Sequence, residues 1–465
     1  MDTEKSKKFI EDNFQSMFLD PISEFIKVPN LTPSFDPEFQ TNGLIEQAID
    51  NVKGYAESMD IPGLKFHVHN EEGRAPMALI EIPGNGKKNI MVYGHLDKQP
   101  HMEGWTEGTG PTTPTIIGDK LYGRGSTDDG YVSFATLTAV KNILDQGQEI
   151  PRIVLVLEAE EESGSKDLVY LLEKCKDIIK TPDVCLCCDS GALDYKTLWL
   201  TSSLRGSMGM NVKVSIAKDA FHSGICGGAM PETFRIANNL LDRLEDPITK
   251  RMEKFEVEIE DRFKEEAKNI VGLVGTDLYK DFKLLEGCRP IHHDNLEEMY
   301  LNINWRPALA VCGADGLPTL SKAGNVVRAS TSLRLKIRLP PSLDAKEMCD
   351  EVVKTLSEDV PFGAKIEFDD VSSGSGWVMK DLKEETSKAI HESSEEFYEK
   401  KAGLYGIGGS IPFLKTLEGI YPETEILAMG VGGNDCNIHA PDETLDIPYM
   451  KKFIPTLSHI LAKMA

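Results

Sequence analysis

Four short apolar runs in the sequence each lead into residues that can ionise or bind a metal. The runs are residues 89–93, 153–157, 184–188 and 426–429. Each run has the length of a buried β-strand, and helical segments such as residues 132–144 and 167–175 lie between them. Strands that alternate with helices are typical of a mostly parallel sheet covered by helices on both faces. We therefore predict an α/β fold.

The polar residues at or near the ends of these runs are candidates for chemistry, because ligands of parallel sheets bind beside the carboxyl ends of the strands. The set contains two histidines and five acidic residues: His95, Asp97, Asp128, Glu161, Glu162, Asp189 and His439. Imidazole and carboxylate donors together suit zinc or manganese. The charges of Asp128, Glu162 and Asp189, with one bridging hydroxide, would neutralise two divalent cations. The sequence thus predicts a pair of metal ions at this edge of the sheet.

Taken one at a time, these motifs have ordinary structural explanations. Asp128 could cap the start of a helix, residues 160–162 could form a solvated charge run, and Asp189 could lie in a plain turn. A histidine two residues before an aspartate is also a weak signal by itself. The occurrence of all of them at the ends of consecutive predicted strands favours one shared site.

The pattern of the sequence changes near residue 206. Residues 208–216 and 332–339 alternate apolar and polar side chains, as strands with one solvated face do. The Ser/Gly tract at 372–376 is typical of a linker. The predicted domains are a catalytic domain of residues 1–205 and 377–465 and an inserted α+β lid (dimerisation) domain of residues 206–376.

Composition disfavours several classes of function. The formal net charge is −24 and no basic stripe stands out, so we expect no nucleic-acid partner and no membrane partner. No apolar run reaches the ~20 residues that cross a bilayer, and the first residues lack the apolar core of a secretory signal. The nine cysteines form no disulfide pattern, so we expect a cytoplasmic location.

Four motifs, in order along the chain, resemble the signature of the dinuclear-zinc aminoacylase and carboxypeptidase family of metallopeptidases, and most of all its carnosinase-like dipeptidases. The motifs are Gly94-His-Leu-Asp97, Gly123-Arg-Gly-Ser-Thr-Asp-Asp129, Glu161-Glu-Ser-Gly-Ser165 and Asn437-Ile-His-Ala-Pro-Asp-Glu443. The resemblance covers nearly the whole chain. It implies an enzyme that cleaves amide bonds with two divalent metal ions, with zinc as the first expectation and manganese or cobalt as alternatives.

The resemblance also implies a role for each residue of the predicted metal site. His95 would bind one ion and His439 would bind the other. Asp128 would bridge the two ions. Glu162 and Asp189 would each complete the coordination of one ion.

Two further acidic residues would act beside the ions. Asp97 would hydrogen-bond the imidazole of His95 and fix its tautomer. Glu161 would be the general base for the water that bridges the two ions: it would take a proton from that water as the water attacks the amide carbonyl, and would later pass the proton to the leaving amine.

Residues of the lid match as well, and the resemblance implies that they touch the substrate. His222 matches a histidine that, in dimeric relatives, reaches the site of the partner subunit and stabilises the oxyanion, so we expect a homodimer. Asn325 and Arg338 match positions that contact the substrate carbonyl or carboxylate. Gly409 and Ser410 match a loop that receives a substrate carboxylate through backbone N–H groups and a hydroxyl.

These observations favour a dipeptidase or related exopeptidase that acts on small peptides. An N-acyl amino acid deacylase, such as a succinyl-diaminopimelate desuccinylase, stays open because it would use the same metals and the same base. A catalytically silent binding protein on the same scaffold is a further alternative, although Glu161 and all the predicted ligands are present. A two-metal nuclease or phosphatase is disfavoured by the acidic charge balance.

Overall fold

The computed structural model describes residues 1–433 and 435–465. The chain divides into two compact units. The first comprises Met1–Thr201, Met379–Tyr405 and Thr416–Ala465, and the second comprises Ser202–Val378 and Gly406–Lys415. The second unit therefore includes a short segment that lies far beyond the predicted lid in sequence, and the domain boundaries and the roles of catalytic domain and lid stay predictions. Among the described residues, no helix combines the length and hydropathy needed to span a bilayer.

Helices and strands alternate through most of the described chain. The helices are α1 (Thr3–Phe14), α2 (Asp20–Ile26), α3 (Leu44–Ser58), α4 (Tyr131–Asp145), α5 (Leu168–Lys174), α6 (Lys176–Ile179), α7 (Ser223–Cys226), α8 (Thr233–Leu241), α9 (Asp261–Val274), α10 (Leu296–Asn304), α11 (Ala345–Ser357), α12 (Glu384–Tyr398), α13 (Pro412–Ile420) and α14 (Ile447–Lys463). The strands are β1 (Lys65–His69), β2 (Met77–Ile82), β3 (Asn89–His95), β4 (Thr115–Ile117), β5 (Lys120–Tyr122), β6 (Arg152–Glu158), β7 (Val184–Cys187), β8 (Trp199–Leu204), β9 (Gly206–Ser215), β10 (Phe221–His222), β11 (Ala308–Asp315), β12 (Val326–Val327), β13 (Ser330–Leu339), β14 (Lys365–Gly374), β15 (Trp377–Val378), β16 (Gly403–Ile407), β17 (Glu425–Ala428) and β18 (Thr444–Asp446).

The central sheet of the first unit has the strand order β1-β2-β6-β3-β7-β17. Strands β6, β3, β7 and β17 run parallel, whereas β2 is antiparallel to both of its neighbours. Every residue of β7 and β17 is buried. Because successive side chains of a strand point to opposite faces, both faces of these strands are covered. The predicted α/β fold with a mostly parallel sheet is confirmed.

Helix α4 follows the Asp128–Asp129 segment and lies in the interior of the first unit. Nearly all of its side chains are buried, from Tyr131 to Ile143, because apolar and small residues surround the whole helix rather than one stripe. It packs against β3 and against α14. The start of α4 is thereby held beside the strand that ends in His95.

The second unit is built on an antiparallel sheet of order β11-β13-β9-β14. Strand β13 alternates buried and half-buried residues along its length, as its sequence pattern predicts. The buried face, which includes Met210 and Leu335, packs in one apolar cluster with residues of α8 and α11.

The prediction of a linker at residues 372–376 is wrong in part. Strand β14 continues to Gly374, and Ser372 pairs with Gly209 after a register shift. A serine- and glycine-rich tract can extend an edge strand because the ladder hydrogen bonds come from the backbone and need no particular side chain.

Candidate metal centre

His95 is the last residue of β3, and its buried ring contacts two acidic residues. Its Nε2 lies 3.0 Å from Asp128 Oδ1. Its Nδ1 lies 3.0 Å from the backbone carbonyl oxygen of Asp97 and 3.4 Å from the Asp97 Oδ1 atom. An Nδ1–H that donates to Asp97 leaves the Nε2 lone pair free for a metal. A side chain at Gly94 would not fit, because its Cβ would stand 2.6 Å from Asp129 Oδ2.

The carboxylate of Asp97 has a second set of contacts that the sequence did not indicate. Its oxygens accept hydrogen bonds from the backbone N–H of Glu161 at 3.2 Å and of Glu162 at 3.0 Å. Asp97 therefore fixes the turn that follows β6 and carries both glutamates.

Asp128 lies between the two predicted histidine ligands. Its Oδ1 contacts His95, and its Oδ2 lies 2.8 Å from His439 Nε2. The Asp128–Asp129 peptide bond is cis. Burial raises the pKa of Asp128, but hydrogen bonds from His439 and His95 outweigh this effect and hold the pKa well below its usual range. One carboxylate thus presents a separate oxygen to each imidazole.

His439 completes the second side of the cluster. Its Nε2 also lies 3.1 Å from Glu162 Oε1, and Glu162 Oε2 accepts a hydrogen bond from Gln99 Nε2 at 2.7 Å. Burial lowers the pKa of His439, but hydrogen bonds to Asp128 and Glu162 raise it to about 10 overall. The carboxylates around His439 therefore create a strong local preference for positive charge.

Asp189, which follows β7, completes the predicted ligand set. Ligand atoms of His95, Asp128 and Asp189 lie within 4.8 Å of one another, and so do those of Asp128, Glu162 and His439. Burial raises the pKa of Asp189 to about 7, with further contributions from the negative charges of Asp128 and Glu162 and against the opposing effect of His95. Two divalent cations would offset this concentration of negative charge, and the nitrogen and oxygen donors suit zinc or manganese. The residues present therefore fit a two-metal centre.

Glu161 lies in the turn beside these ligands and is partly buried. Among the residues that the structure describes, none donates a hydrogen bond to its carboxylate. Burial raises the pKa of Glu161 well above its usual value, and the charge of Asp189 adds to this effect. A carboxylate with a raised pKa and free oxygens is suited to accept a proton near neutral pH.

Sequence reasoning assigned no role to four residues that lie behind these side chains. Arg124 and Glu443 form a buried ion pair with a distance of 2.7 Å between Nη1 and Oε2, and Gln99 supports Glu162. Arg124 and Glu443 both lie inside the quoted motifs, but nothing in the order of the residues indicates that they face each other. Glu158, the last residue of β6, accepts hydrogen bonds from Tyr93 and Ser165.

The predicted residues of the lid fall in two places within the second unit. His222 is exposed and belongs to the two-stranded sheet of β10 and β12, which Asn325 immediately precedes. Arg338 Nη1 donates a hydrogen bond to Ser410 Oγ at 3.0 Å, and that hydroxyl donates to the carbonyl oxygen of Arg205 at 2.6 Å. Gly409 lies next to Ser410 in the same loop.

Comparison with known proteins identifies the family. A sequence model of Peptidase family M20/M25/M40 matches residues 91–463. The chain is 24% identical over 381 residues to the cysteinylglycine-S-conjugate dipeptidase of Corynebacterium striatum, with 79% of each chain covered. It is 27% identical over 376 residues to the Cys-Gly metallodipeptidase of Candida albicans, with 78% of this chain and 75% of the relative covered.

A solved structure shows that the fold is shared as well. The crystal structure of human carnosine dipeptidase 1 superposes with a TM-score of 0.78 at 21% identity, covering 99% of this chain and 98% of that chain. The family match spans most of the sequence, from within β3 to the end of α14, and it includes every residue of the cluster around Asp128. The resemblance seen in the four motifs is thereby confirmed: the chain belongs to Peptidase family M20/M25/M40 and is a metallopeptidase.

Proposed function

We propose that the protein is a metal-dependent exopeptidase that cleaves dipeptides or short peptides. The observation that carries this proposal is the position of Asp128, whose two oxygens lie 3.0 Å from His95 Nε2 and 2.8 Å from His439 Nε2. A carboxylate shared in this way is suited to bridge two cations. The names of the relatives, which are dipeptidases that act on Cys-Gly and its conjugates, support the substrate class.

Five residues would hold the two ions. His95 and Asp189 would bind one, Glu162 and His439 would bind the other, and Asp128 would bind both. When bound, the ions supply Lewis acidity, which lowers the pKa of a shared water and polarises the scissile carbonyl. We propose zinc first, with manganese or cobalt as alternatives, because imidazole and carboxylate donors accept all three.

Glu161 would move the proton. Its carboxylate accepts a proton from the attacking water and later donates it to the amine that leaves. The raised pKa of Glu161 supports this role, because such a group holds a proton transiently near neutral pH. The hydrogen bond from the Glu161 N–H to Asp97 keeps the turn in place while the side chain acts. Asp97 is therefore proposed to position both the base and the His95 ring.

Residues of the second unit would recognise the substrate. Arg338, Gly409 and Ser410 are proposed to receive its carboxylate, because a guanidinium binds carboxylates in a forked geometry and already contacts the Ser410 hydroxyl. His222 and Asn325 are proposed to contact the reacting carbonyl.

We further propose a homodimer in which His222 acts in the site of the partner subunit. The exposure of His222 leaves it available to another chain. Strand β11 is an edge strand, and nearly all of its residues are exposed. Unpaired backbone groups of such an edge can pair with a second copy.

A cytoplasmic location is proposed because all nine cysteines are free thiols, as expected in a reducing compartment. The formal net charge of −24 supports the absence of nucleic-acid and membrane partners.

An N-acyl amino acid deacylase is the second candidate. The same ligands and the same base would serve it, and the substrate would again present a carboxylate to Arg338 and Ser410. The position of the Arg338 guanidinium beside Ser410 keeps this alternative, because a cationic group there could pair with a carboxylate, which N-acyl amino acids and dipeptides both carry.

A substrate panel on zinc- or manganese-loaded protein tests the proposal. The panel would contain Cys-Gly, β-Ala-His and simple dipeptides beside N-acetyl and N-succinyl amino acids, and kcat/KM would be measured for each. We expect the dipeptides to be cleaved at least about tenfold faster than the acylated amino acids, and Glu161→Gln to lower kcat about 10²–10⁴-fold. Faster cleavage of the N-acyl compounds would favour the deacylase, and no hydrolysis of any compound would favour a silent binding protein.

A further inference from the structure

We propose that Arg124 and Glu443 form a positioning pair that sets the affinity of both metal sites at once. The pair would touch neither the ions nor the substrate. It would act by holding together three loops that carry or adjoin the metal ligands. This inference rests on the proposed metal centre and extends it to residues with no assigned role.

The guanidinium of Arg124 joins two of these loops directly. Its Nη1 lies 2.7 Å from Glu443 Oε2, and its Nη2 donates to the carbonyl oxygens of Pro100 and Ala440, both at 3.1 Å. Pro100 belongs to the segment that follows β3, and Ala440 is the residue after the ligand His439. One side chain therefore sets the spacing between the loop after the first histidine ligand and the loop of the second.

The carboxylate of Glu443 fixes the third loop. Its Oε1 accepts hydrogen bonds from the backbone N–H groups of Gly125 at 3.0 Å, Thr127 at 3.1 Å and Asp128 at 3.2 Å. One oxygen of Glu443 thus holds the backbone of the bridging aspartate, and the other holds Arg124. The contacts form a continuous chain from the Asp128 backbone to the loop of His439.

The burial of this pair indicates a role beyond stability. Arg124 is 1% exposed and Glu443 is fully buried. Removing two opposite charges from water costs about as much as their attraction returns, so apolar residues of similar size often stabilise a protein equally well. Apolar residues cannot, however, hold three N–H groups and two carbonyls in a fixed arrangement. The geometry of the surrounding loops is therefore what the charged pair supplies.

Two conservative variants test the proposal. Arg124→Lys keeps the positive charge but lacks the fork that reaches three acceptors. Glu443→Gln keeps the shape but loses the negative charge and places an amide N–H₂ or a neutral oxygen against the guanidinium. Groups that orient metal ligands from behind typically contribute 10–100-fold to metal affinity. We expect each variant to weaken zinc binding about 10–100-fold at both sites, measured by competition with a chromophoric chelator, and to regain activity as zinc is raised.

An ion pair with similar backbone contacts in the same unit provides the control. Arg152 Nη2 lies 2.7 Å from Glu81 Oε1, and Arg152 also donates to the carbonyl oxygens of Ile178 and Ile179. This pair is less buried than Arg124 and Glu443, and it lies at the amino end of β6, away from the metal ligands. Arg152→Lys and Glu81→Gln should lower the melting temperature of the metal-free protein by less than the test variants do, and should leave zinc affinity within about twofold of wild type.

The outcomes separate this inference from the proposed function. Wild-type zinc affinity in folded Arg124→Lys and Glu443→Gln would overturn the positioning role while leaving the metal centre intact, and so would weakening at one site only. If Arg124→Lys does not fold, Glu443→Gln decides the matter by the same measurement. A wild-type protein that binds no zinc would overturn the proposed function, and the role of the pair with it.

Discussion

The predicted site residues have different surroundings in the two units. In the first unit they lie at the strand ends, and in the second unit two of them lie in the exposed segment around His222. In the first unit, residues from four separate segments contact one another, and hydrogen bonds from the backbone to Asp97 hold the turn of Glu161 and Glu162. In the second unit, His222 is exposed on a two-stranded sheet, and the exposed Asn325 precedes the second strand of that sheet. Among the described residues, the ring of His222 accepts a hydrogen bond only from the N–H of Gly224, at 3.1 Å.

This difference shows which parts of an active site a chain can assemble by its own folding. A parallel sheet brings the carboxyl ends of its strands to one edge whatever else binds there. An exposed histidine on a short sheet has no such constraint, and the role proposed for His222 depends on a second subunit. Changes to the metal ligands at the strand ends should therefore affect metal content, whereas changes near His222 should affect turnover alone.

The largest effect is expected from Asp128→Asn. The amide presents one oxygen rather than two and removes the charge that both ions share, so the protein should retain about one zinc ion or less per chain and lose measurable activity. Metal content would be measured by elemental analysis after gel filtration. Asp145→Asn, which changes a half-exposed aspartate at the end of α4, is the control and should bind metal as wild type does. Full metal content in Asp128→Asn would contradict the bridging role.

Glu161→Gln should give the next largest effect and would separate proton transfer from metal binding at the strand ends. The variant cannot accept the proton, so kcat should fall about 10²–10⁴-fold while both ions are retained. The neighbour Glu160, whose carboxylate accepts a hydrogen bond from the N–H of Asp167 at 3.2 Å, provides the matched control. Glu160→Gln should change kcat by less than about fivefold. Near-normal turnover in metal-loaded Glu161→Gln would assign the base elsewhere.

His222→Ala tests the role proposed for the exposed histidine of the second unit. If the imidazole stabilises developing charge on the carbonyl oxygen, kcat should fall about 10–10²-fold. The metal content and the affinity for zinc should not change. His293→Ala replaces another exposed histidine of the same unit and should have little effect. A protein that is monomeric by light scattering and fully active would contradict the action of His222 in a partner subunit.

The smallest effect concerns the pH dependence of stability at the strand ends. Burial raises the pKa of Glu158 to about 8, although hydrogen bonds from Tyr93 and Ser165 oppose this effect. The folded form therefore keeps a proton that the unfolded chain releases near pH 4.5, so this contribution to stability is lost as pH rises from about 5 to about 8.

Urea unfolding of the metal-free protein at several pH values measures this loss. The free energy of unfolding should fall with rising pH more steeply in the wild type than in Glu158→Gln. Parallel pH profiles for the two proteins would show that Glu158 does not titrate in this way.

The strand pattern made the position of the metal ligands predictable. The run 153–157 became the interior of β6, and the glutamates after it lie beside His95 because β6 and β3 are parallel neighbours. The order of strands and the convergence of their ends follow from general rules of parallel sheets. Asp128 was also predicted at a strand end, but it lies between α4 and β5, which belongs to another sheet, whereas His439 lies in the segment after β17 as predicted.

The supporting contacts were beyond sequence reasoning for a physical reason. The bonds from Glu443 to the backbone near Asp128 depend on how two loops cross in space, and no local spacing encodes that crossing. The same holds for the bonds from the turn after β6 to Asp97. The prediction of a linker at 372–376 was wrong in part because the pairing of this tract depends on the neighbouring strand β9 and not on its own side chains.

The proposed metal centre has one cation on each side of Asp128. Anomalous diffraction from crystals grown with zinc would locate these ions. We expect two zinc peaks per chain, one in contact with His95, Asp128 and Asp189 and the other in contact with Asp128, Glu162 and His439. A single peak, or zinc bound only at residues outside this set, would contradict a two-metal centre bridged by Asp128.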